Sequence, residues 1–491
     1  MTRSQKFLAF DLGAESGRAI LGSMNEDRID VEEIHRFANS PVQEAGHLHW
    51  DASHLWSEIQ TGLAKAVQRH GSDVISVGVD TWGVDFGLLA ADDSLLGNPY
   101  HYRDDRTAGM LERAFARVPR EEIYARTGIQ FMQLNSLYQL LAMAGTPALA
   151  AARTFLNMPD LFNFWLTGRK ASEFTIATTT QCYDPRQGGW AEDLLRKLDL
   201  PADIFQPVLA PGTVLETLQP AVADSAGCGR LTVVAVGSHD TASAAAAVPA
   251  ADRDWLFLSS GTWSLLGAEV DMPVITPQSL AHDFTNEGGV DGKFLFLKNI
   301  MGMWLLQECR REWSGSGSVL SYDELIRLAA KAPAFGPIIV PCDPRYLAPG
   351  GMPGRIRDYC RETGQQAPQT QAEIARCIFE SLALEYRRVA EQLAELLGRR
   401  FHTIHIVGGG CRNRILNQFT ADSTGCAVVA GPAEATALGN ILAQAVATGR
   451  IASLAEGRAV LRRSVETTVY HPGNKAAWDE VYSRYIRMAD A

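Results

Sequence analysis

The sequence has no excess of basic residues, since 45 Lys and Arg stand against 56 Asp and Glu and the formal net charge is −11. A charge of this sign repels a phosphate backbone and leaves no basic footprint for nucleic acid. Long hydrophobic runs are missing as well. Asp11 interrupts the apolar segment that begins at Phe7, and the alanine-rich stretch 242–251 is far too short for a membrane span. We therefore expect a cytoplasmic protein without a nucleic-acid or membrane partner.

Cysteine motifs are also lacking. The eight cysteines form no CxxC pair and no dense cluster with histidine, which argues against a zinc or redox motif. Reduced, mostly buried thiols are the simplest interpretation, and a pairing of Cys360 with Cys377 stays open. The apolar share of 46% and the charged share of 21% are those of an ordinary globular protein, and 491 residues leave room for two or three domains.

What the sequence does contain is a repeated pattern of strand, glycine turn and strand. It occurs in LAFDLGAESGRAILG (8–22) and again, half a chain later, in LFLSSGTWSLLGAEV (256–270). Glycine hairpins occur in any β-rich protein, so the pattern alone does not separate duplication from coincidence. Helix-spaced apolar segments lie at 136–145, 370–398 and 434–449. We therefore predict an α/β protein with two sheets and a ligand cleft between them.

The two glycine turns suit the binding of phosphate. Successive backbone N–H groups of the turn 13–17 can point into one concavity and bind phosphate oxygens without a lysine. Asp11, just before that turn, could orient a hydrated Mg²⁺, a cation that proteins usually hold by few carboxylates and several waters. The second turn, 259–262, adds hydroxyl groups at the matching place. We expect the two turns to hold a polyphosphate from both sides.

Polar residues at the end of an apolar run are the candidates for chemistry. His239 and Asp240 follow such a run, and an Asp at this place is either the N-cap of the next helix or a general base. Three glycines, 408–410, join a buried strand to a helix, where they allow either close approach of a nucleotide or tight packing. The segment 297–313 is predicted as one amphipathic helix, whose polar positions are either solvated or in contact with a ligand.

Eleven segments, in one order along nearly the whole chain, resemble the rhamnulokinases of the carbohydrate kinase family, which shares the actin and hexokinase ATPase fold. The segments are DLGAESGR, DTWGVDF, YRDDRT, TGIQF, MPDLFNFWLTG, ATTTQ, SHDTAS, SSGTWSL, TNEGG, LKNIMGMWLLQ and IVGGGCRN. The resemblance implies an α/β fold of two duplicated ribonuclease-H-like domains, 1–247 for the sugar and 248–491 for the nucleotide, with ATP and sugar in the cleft between them.

The resemblance also implies an activity: ATP-dependent phosphorylation of L-rhamnulose at its 1-hydroxyl, in L-rhamnose catabolism, with ATP and Mg²⁺ as cofactors. A monomer or a homodimer is expected, with the ketose and ATP as its small-molecule partners. Another ketose kinase, acting on L-fuculose or a xylulose, is the nearest alternative and would differ around Trp82, Gly83 and His239. A non-catalytic sugar sensor or an actin-like assembly protein is a second one, and the presence of Asp240 counts against it.

The family's pattern assigns roles to particular residues of this sequence. It implies that Asp240 is the proton acceptor, which favours the general base over the N-cap, and that Asp11 faces the metal through water. The residues implied to border the sugar are Gly83, His239, Asp240 and Thr241. Those implied to contact the nucleotide are Ala14, Glu15, Ser16, Gly17, Arg18, Thr262, Asn299, Gln307 and Gly409. Glu15 departs from the small residue usual at its position and sets a carboxylate near an anionic phosphate.

Overall fold

The structure is a computed structural model that describes residues 5–25, 27–315, 317 and 320–490. Contacts within the chain divide it into two compact units. The first takes the chain up to Pro249 and then Glu269–Phe296 and Ala435–Ser464. The second takes Ala250–Ala268, Leu297–Glu434 and the chain from Val465 onward. Two segments from the second half of the chain therefore belong to the first unit, and the boundary between 247 and 248 stays a prediction.

Strands and helices alternate through both units. The strands are β1 Gln5–Leu12, β2 Ser16–Met24, β3 Ile29–Ala38, β4 Val42–Glu44, β5 His47–His49, β6 Val74–Thr81, β7 Phe86–Leu89, β8 Thr154–Asn157, β9 Ser172–Glu173, β10 Tyr183–Asp184, β11 Gly189–Trp190, β12 Val208–Leu209, β13 Thr213–Thr217, β14 Thr232–Ala235, β15 Trp255–Ser260, β16 Trp263–Val270, β17 Thr285–Gly288, β18 Phe294–Met301, β19 Thr403–Val407, β20 Ala427–Ala430 and β21 Thr468–Tyr470.

The α-helices are α1 Ala52–His70, α2 Met110–Phe115, α3 Arg120–Thr127, α4 Ser136–Met143, α5 Pro147–Ala151, α6 Met158–Thr167, α7 Phe174–Thr179, α8 Glu192–Lys197, α9 Pro220–Ala226, α10 Asp240–Ala246, α11 Pro277–Ala281, α12 Trp304–Gly315, α13 Tyr322–Lys331, α14 Met352–Glu362, α15 Gln371–Leu397, α16 Arg414–Thr424, α17 Ala435–Ala447, α18 Leu454–Ser464 and α19 Lys475–Ala489. Within the described ranges, none of these helices has the length and apolarity needed to cross a bilayer.

The large sheet of the first unit has the strand order β13-β14-β6-β1-β2-β3. Strands β1 and β2 form the antiparallel hairpin predicted from the sequence, whereas β6 runs parallel to β1 and β14 runs parallel to β6. The residues Phe7–Phe10 of β1 are fully buried, as expected of a strand covered on both faces. A Cβ at Gly62 of α1 would lie 2.7 Å from the Phe10 ring, so α1 packs directly on this strand.

The second unit repeats this arrangement, with its strands in the order β18-β16-β15-β19-β20-β21. Strands β15 and β16 form the second predicted hairpin, β19 runs parallel to β15, and β20 runs parallel to β19. In both units, then, a hairpin comes first in sequence and is extended by two parallel strands. The prediction of an α/β protein built from two similar halves is confirmed.

The three helices predicted from apolar spacing are α4, α15 and α17. Helix α15 shows why its ends were predictable: the Thr370 hydroxyl and the Glu373 carboxylate form a capping box, and Gly398 ends the helix in the left-handed conformation. Each of the eight cysteines lies in the described ranges and is free. Cys360 and Cys377 are therefore not joined, and a hydrogen bond between their sulfur atoms lowers the pKa of Cys360 and raises the pKa of Cys377 well above its usual range.

One predicted element is wrong. The segment 297–313 is not a single helix, because β18 runs to Met301 and α12 begins at Trp304. Asn299 therefore lies on a strand and Gln307 on a helix. The break falls at Gly302, where a Cβ would come within 2.8 Å of the Ser264 nitrogen, so only glycine lets the chain pass this close to β16.

Candidate active site

Several acidic and polar residues meet at one edge of the first unit's sheet. Strands β1 and β6 are parallel, with Asp11 level with Asp80. The next residue of β6, Thr81, donates its N–H to the Ser238 carbonyl oxygen over 2.9 Å and forms a bridge with His239. Because the carboxyl ends of parallel strands lie at the same edge, this edge gathers groups from distant parts of the chain.

Asp240 is the first residue of α10 and not its N-cap. The cap position belongs to His239, whose side chain makes no capping hydrogen bond to the described residues. The Asp240 carboxylate instead accepts a hydrogen bond from the Thr241 hydroxyl over 3.2 Å and lies 3.4 Å from Nε2 of His239. Its side chain is 33% exposed, so a substrate hydroxyl has access to it. The N-cap interpretation is therefore wrong, and the carboxylate is available for proton transfer.

Opposing influences act on the pKa of Asp240. Burial raises its pKa and so does the charge of Asp11, whereas the charge of His239 and the hydrogen bond from Thr241 lower it, with a net rise. A carboxylate with a raised pKa binds a proton more readily than an ordinary surface aspartate. This is the property required of a general base that works near neutral pH.

The imidazole of His239 lies between two carboxylates. Its Nδ1 is 3.3 Å from Oε2 of Glu287, and its Nε2 faces Asp240. The His239 N–H donates to the Thr175 hydroxyl over 3.0 Å, which fixes the backbone at this point. Burial alone would lower the pKa of His239, but contact with Glu287 and the charges of Asp240 and Glu173 outweigh it, and the pKa is raised.

Asp80 is a fully buried carboxylate held by α17. The Asn440 amide donates to Oδ2 of Asp80 over 2.6 Å, and the Gln444 amide donates to Oδ1 of Asn440 over 2.7 Å. Oδ1 of Asp80 has no hydrogen-bond partner among the described residues. Burial and the charge of Asp11 raise the pKa of Asp80 well above its usual range, and the charge of Asp240 adds to the effect. A buried carboxylate with so strongly perturbed a pKa is a candidate functional group.

Asp80→Asn should stabilise the protein at neutral and alkaline pH. In the unfolded chain Asp80 titrates near pH 4, whereas in the folded chain it keeps its proton to higher pH, so wild-type stability falls as pH rises from the unfolded pKa through the folded pKa. Asparagine is neutral throughout and removes this loss. Thermal unfolding should give a higher Tm for the variant at pH 8 and a smaller difference near pH 4. Asp224→Asn, at an exposed position, is the control, and equal behaviour of the two variants would contradict the prediction.

The first glycine turn is closed by Asn39. The Gly13 N–H donates to the Ser16 carbonyl, and the Asn39 side chain donates to the Gly13 carbonyl over 2.8 Å. The guanidinium of Arg18 is paired with the Asp11 carboxylate, its neighbour across the hairpin. Among the other predicted phosphate contacts, Gly17 packs against the Phe37 ring, Ala14 and Ser16 are half-buried, and Glu15 is exposed.

Gly83 begins a short strained segment beside α7. A Cβ at Gly83 would lie 3.2 Å from Oγ1 of Thr179, and the same hydroxyl accepts a hydrogen bond from the N–H of Val84 over 3.1 Å. Val84 has φ +70°, a conformation that a β-branched residue rarely adopts and that is typical of functional sites. Thr179, which the sequence analysis did not single out, therefore borders Gly83.

Trp82 is fixed by a buried acid. Its indole N–H and that of Trp50 both donate to Oδ2 of Asp85, over 2.9 and 2.6 Å, and the two indoles lie 4.2 Å apart. Burial raises the pKa of Asp85 to about 6, although these donors and the Gln139 amide oppose the rise. Trp82 is thus a rigid aromatic wall rather than a mobile side chain.

In the second unit, packing explains two of the three glycines in the turn after β19. Gly408 has φ +79°, and a Cβ at Gly410 would lie 2.5 Å from the Cβ of Ser260. A Cβ at Gly409 would meet no described atom within 4 Å, so packing does not require glycine there. Nearby, the Thr262 carbonyl accepts from the N–H of Trp304 over 3.1 Å. The predicted nucleotide contact at Gly409 is therefore open to a ligand.

Gln307 has an unusual environment in α12. Its Oε1 is buried and has no hydrogen-bond partner among the described residues. Buried polar atoms are nearly always hydrogen-bonded, so this oxygen is a candidate for a ligand contact. Asn299, on β18, is half-buried.

The comparisons with known proteins assign this architecture to a family. The N-terminal domain model of the FGGY family of carbohydrate kinases matches residues 6–247, and the family's C-terminal domain model matches residues 256–448. The chain belongs to the FGGY family of carbohydrate kinases. As an FGGY kinase, it is an ATP-dependent phosphotransferase acting on a carbohydrate.

Relatives of this FGGY kinase include proteins named rhamnulokinase. The one from Bacteroides thetaiotaomicron is 47% identical over 98% of this chain and 99% of its own length. The one from Halalkalibacterium halodurans is 42% identical over 94% of this chain and 98% of its own length. The one from Klebsiella pneumoniae is 44% identical over 95% of this chain and 94% of its own length.

Solved structures of other sugar kinases have the same fold. A gluconate kinase and a ligand-bound xylulose kinase, both from Lactobacillus acidophilus, each superpose with a TM-score of 0.82 at 17% identity, over 99% of this chain and 98% of theirs. Plasmodium falciparum glycerol kinase with ADP gives a TM-score of 0.79 at 15% identity over 99% of this chain and 98% of its own. At this identity the likeness confirms the two-domain FGGY fold.

Proposed function

We propose that this FGGY kinase transfers the γ-phosphoryl group of ATP to the 1-hydroxyl of L-rhamnulose and gives L-rhamnulose 1-phosphate and ADP. The observation that carries the chemistry is the Asp240 carboxylate at the start of α10, which caps no helix, is one-third exposed and has a raised pKa. The substrate follows from the relatives named rhamnulokinase at 42 to 47% identity over nearly the whole chain.

In the proposed mechanism, Asp240 accepts the proton of the 1-hydroxyl while that oxygen attacks the γ-phosphorus. The bond between the γ-phosphorus and the oxygen of the departing ADP breaks as the new bond forms. Because the transition state of phosphoryl transfer is loose in most analyses, catalysis comes mainly from positioning and from stabilisation of charge. His239 contributes to the positioning, because its ring faces the base directly.

The proposed sugar contacts are Gly83, His239, Asp240 and Thr241. The side of Gly83 on which a Cβ would stand faces Thr179, so we assign its sugar contact to the backbone. The rigid indole of Trp82 next to it supplies an aromatic face. A 6-deoxy ketose also has a terminal methyl group that prefers an apolar wall. Trp82 is one candidate for this wall. Phe131, which packs on Phe115 and under the Arg120 guanidinium, is the other.

We infer two groups of candidate nucleotide contacts. In the first unit they belong to the turn that Asn39 closes, and they are Ala14, Glu15, Ser16, Gly17 and Arg18. In the second unit they are Thr262, Asn299, Gln307 and Gly409. The buried Oε1 of Gln307 and the open approach at Gly409 support the second group. The exposure of Glu15 agrees with a carboxylate that points away from phosphate.

The acidic edge of the first sheet fits a hydrated divalent cation. Asp11 lies beside the first glycine turn and is level with Asp80 in the parallel pair β1–β6. We propose that Asp11 holds Mg²⁺ through water, since a cation that keeps several waters is usually bound by only one or two carboxylates. When bound, Mg²⁺ would offset the charge of the ATP phosphates. A cytoplasmic monomer or homodimer is part of the same proposal.

The substrate assignment predicts that L-rhamnulose gives a kcat/KM at least about tenfold above those for L-fuculose, D-xylulose and glycerol, or about 1.4 kcal/mol of discrimination. The reason is that a sugar which leaves a buried hydrogen-bonding group unpaired loses roughly 1 to 3 kcal/mol per group. A coupled assay of ADP release over this panel, with a sugar-free control for ATP hydrolysis, measures it. Xylulose or glycerol ranked first would remove the substrate assignment and leave the kinase class.

A further inference from the structure

Glu287 is a buried carboxylate without a role in the proposed mechanism. It lies on β17, only 5% exposed, with Oε2 3.3 Å from Nδ1 of His239. On the other side of the same ring, Nε2 lies 3.4 Å from Oδ1 of Asp240. The three side chains therefore form a row in which one imidazole separates the catalytic carboxylate from a second, deeper one.

Strand β17 places Glu287 firmly. The N–H of Gly288 donates to the Thr178 hydroxyl of α7 over 2.7 Å, and a Cβ at Gly288 would lie 2.7 Å from the Phe174 ring. On the other side of Glu287, the Asn286 amide donates to the Gly128 carbonyl over 3.0 Å. Both neighbours of Glu287 are thus anchored in the first unit, so its carboxylate has a fixed position relative to His239.

The two carboxylates on either side of the ring favour the protonated form of His239. A neutral imidazole has one N–H and one bare nitrogen, so it can donate to only one of two flanking carboxylates, whereas the imidazolium donates to both. Three acidic groups face the ring: Asp240, Glu287 and Glu173. The Glu173 carboxylate already accepts from the N–H groups of Thr175 and Ser238, over 2.9 and 3.1 Å. Glu287 is the acid that contacts Nδ1.

We propose that Glu287 is a positioning residue for the catalytic base: it holds His239 as an imidazolium turned toward Asp240, and the imidazolium keeps Asp240 ionised and aimed at the sugar hydroxyl. This proposal rests on the proposed role of Asp240. The raised pKa of His239 agrees with it. The contact distances of 3.3 and 3.4 Å are compatible with it, since catalytic hydrogen bonds are often long before substrate binds.

Replacement of Glu287 should shift the pH dependence of kcat/KM in one direction. Glu287→Gln removes the negative charge beside Nδ1, so His239 loses its proton at lower pH than in the wild type. The alkaline limb of the kcat/KM profile should then move down by about one pH unit, which corresponds to about a tenfold loss in the alkaline range. On the acid side His239 is protonated in both proteins, so the variant should keep its activity within about threefold. A purely structural defect would lower activity equally at all pH values.

The test has a direct readout that needs no turnover. In protein labelled with ¹³C at histidine Cε1, the His239 resonance, assigned by its loss in His239→Asn, should titrate about one unit lower in Glu287→Gln than in the wild type. Glu287→Asp keeps the charge and should keep both the titration and the alkaline limb. Glu58→Gln is the matched control. Glu58 of α1 contacts His35 of β3, away from the site, so this variant should leave the pH profile unchanged.

The outcomes are distinguishable. An unchanged His239 titration in Glu287→Gln overturns the proposal, and so does a loss of activity that is uniform in pH. If the titration shifts but Asp240→Asn turns over like the wild type, the charge pair exists and the proposed role of Asp240 fails instead. Unchanged thermal unfolding and ATP binding of the Gln and Asp variants, measured by calorimetry, show that both variants are folded.

Discussion

Asp240→Asn is expected to lower kcat by about 10² to 10⁴, the usual range for loss of a positioned general base, while nucleotide binding stays nearly intact. The amide has the shape of the carboxylate and can still accept from the Thr241 hydroxyl, so the geometry at the start of α10 is kept. What is lost is the capacity to take the proton from the attacking hydroxyl. Steady-state ADP release at saturating sugar measures kcat, and calorimetry measures ATP affinity.

The control for this prediction is Asp224→Asn, which makes the same change at an exposed position of α9 and should leave kcat unaltered. Wild-type turnover in Asp240→Asn would contradict the assignment of the base. A fall in kcat accompanied by an equal loss of ATP affinity would show that Asp240 acts in binding rather than in proton transfer.

The sequence predicted those parts of the fold that depend on local pattern. The hairpins β1–β2 and β15–β16 were recognisable because each has a glycine turn between apolar strands, and α15 was recognisable from its caps and apolar spacing. The prediction for 297–313 was wrong because only two residues, Gly302 and Met303, separate strand β18 from helix α12. Apolar residues continue through that break, so their spacing gives no sign of it.

The site was predicted only as far as residues adjoin a recognisable motif. His239 and Asp240 could be singled out because they end an apolar run, whereas the roles proposed for Glu287 and Asp80 depend on partners far away in sequence. Asn440, for example, reaches Asp80 across 360 positions of the chain. One local sign existed: Asn440 and Gln444 stand one helical turn apart in an otherwise apolar helix, and both prove fully buried. Buried polar residues require partners, but sequence alone does not say which.

Gly439→Ala is expected to destabilise the protein by roughly 3 kcal/mol, at the upper end of the usual cost of overpacking. Helices α10 and α17 pack closely within the first unit, and a Cβ at Gly439 would lie only 2.5 Å from the carbonyl carbon of Ser243 and closer still to its oxygen. The obstacle is backbone, so no side-chain rotation relieves it. Thermal unfolding should show a fall in Tm of roughly 3 °C.

Gly354→Ala is the matched control, because Gly354 also lies inside a helix, α14, where an added Cβ would meet no described atom within 4 Å. There the same substitution should raise stability by about 0.5 to 1 kcal/mol, since alanine favours the helix. The two substitutions are thus expected to change stability in opposite directions.

Gly439→Ala should also lower kcat by at least about tenfold. Helix α10 begins at Asp240 and α17 carries Asn440, so displacement of either helix moves the acidic edge of the sheet. Small misplacements of catalytic groups are costly. A Gly439→Ala variant as stable and active as the wild type would contradict the view that close approach of α10 and α17 sets the position of the proposed catalytic base.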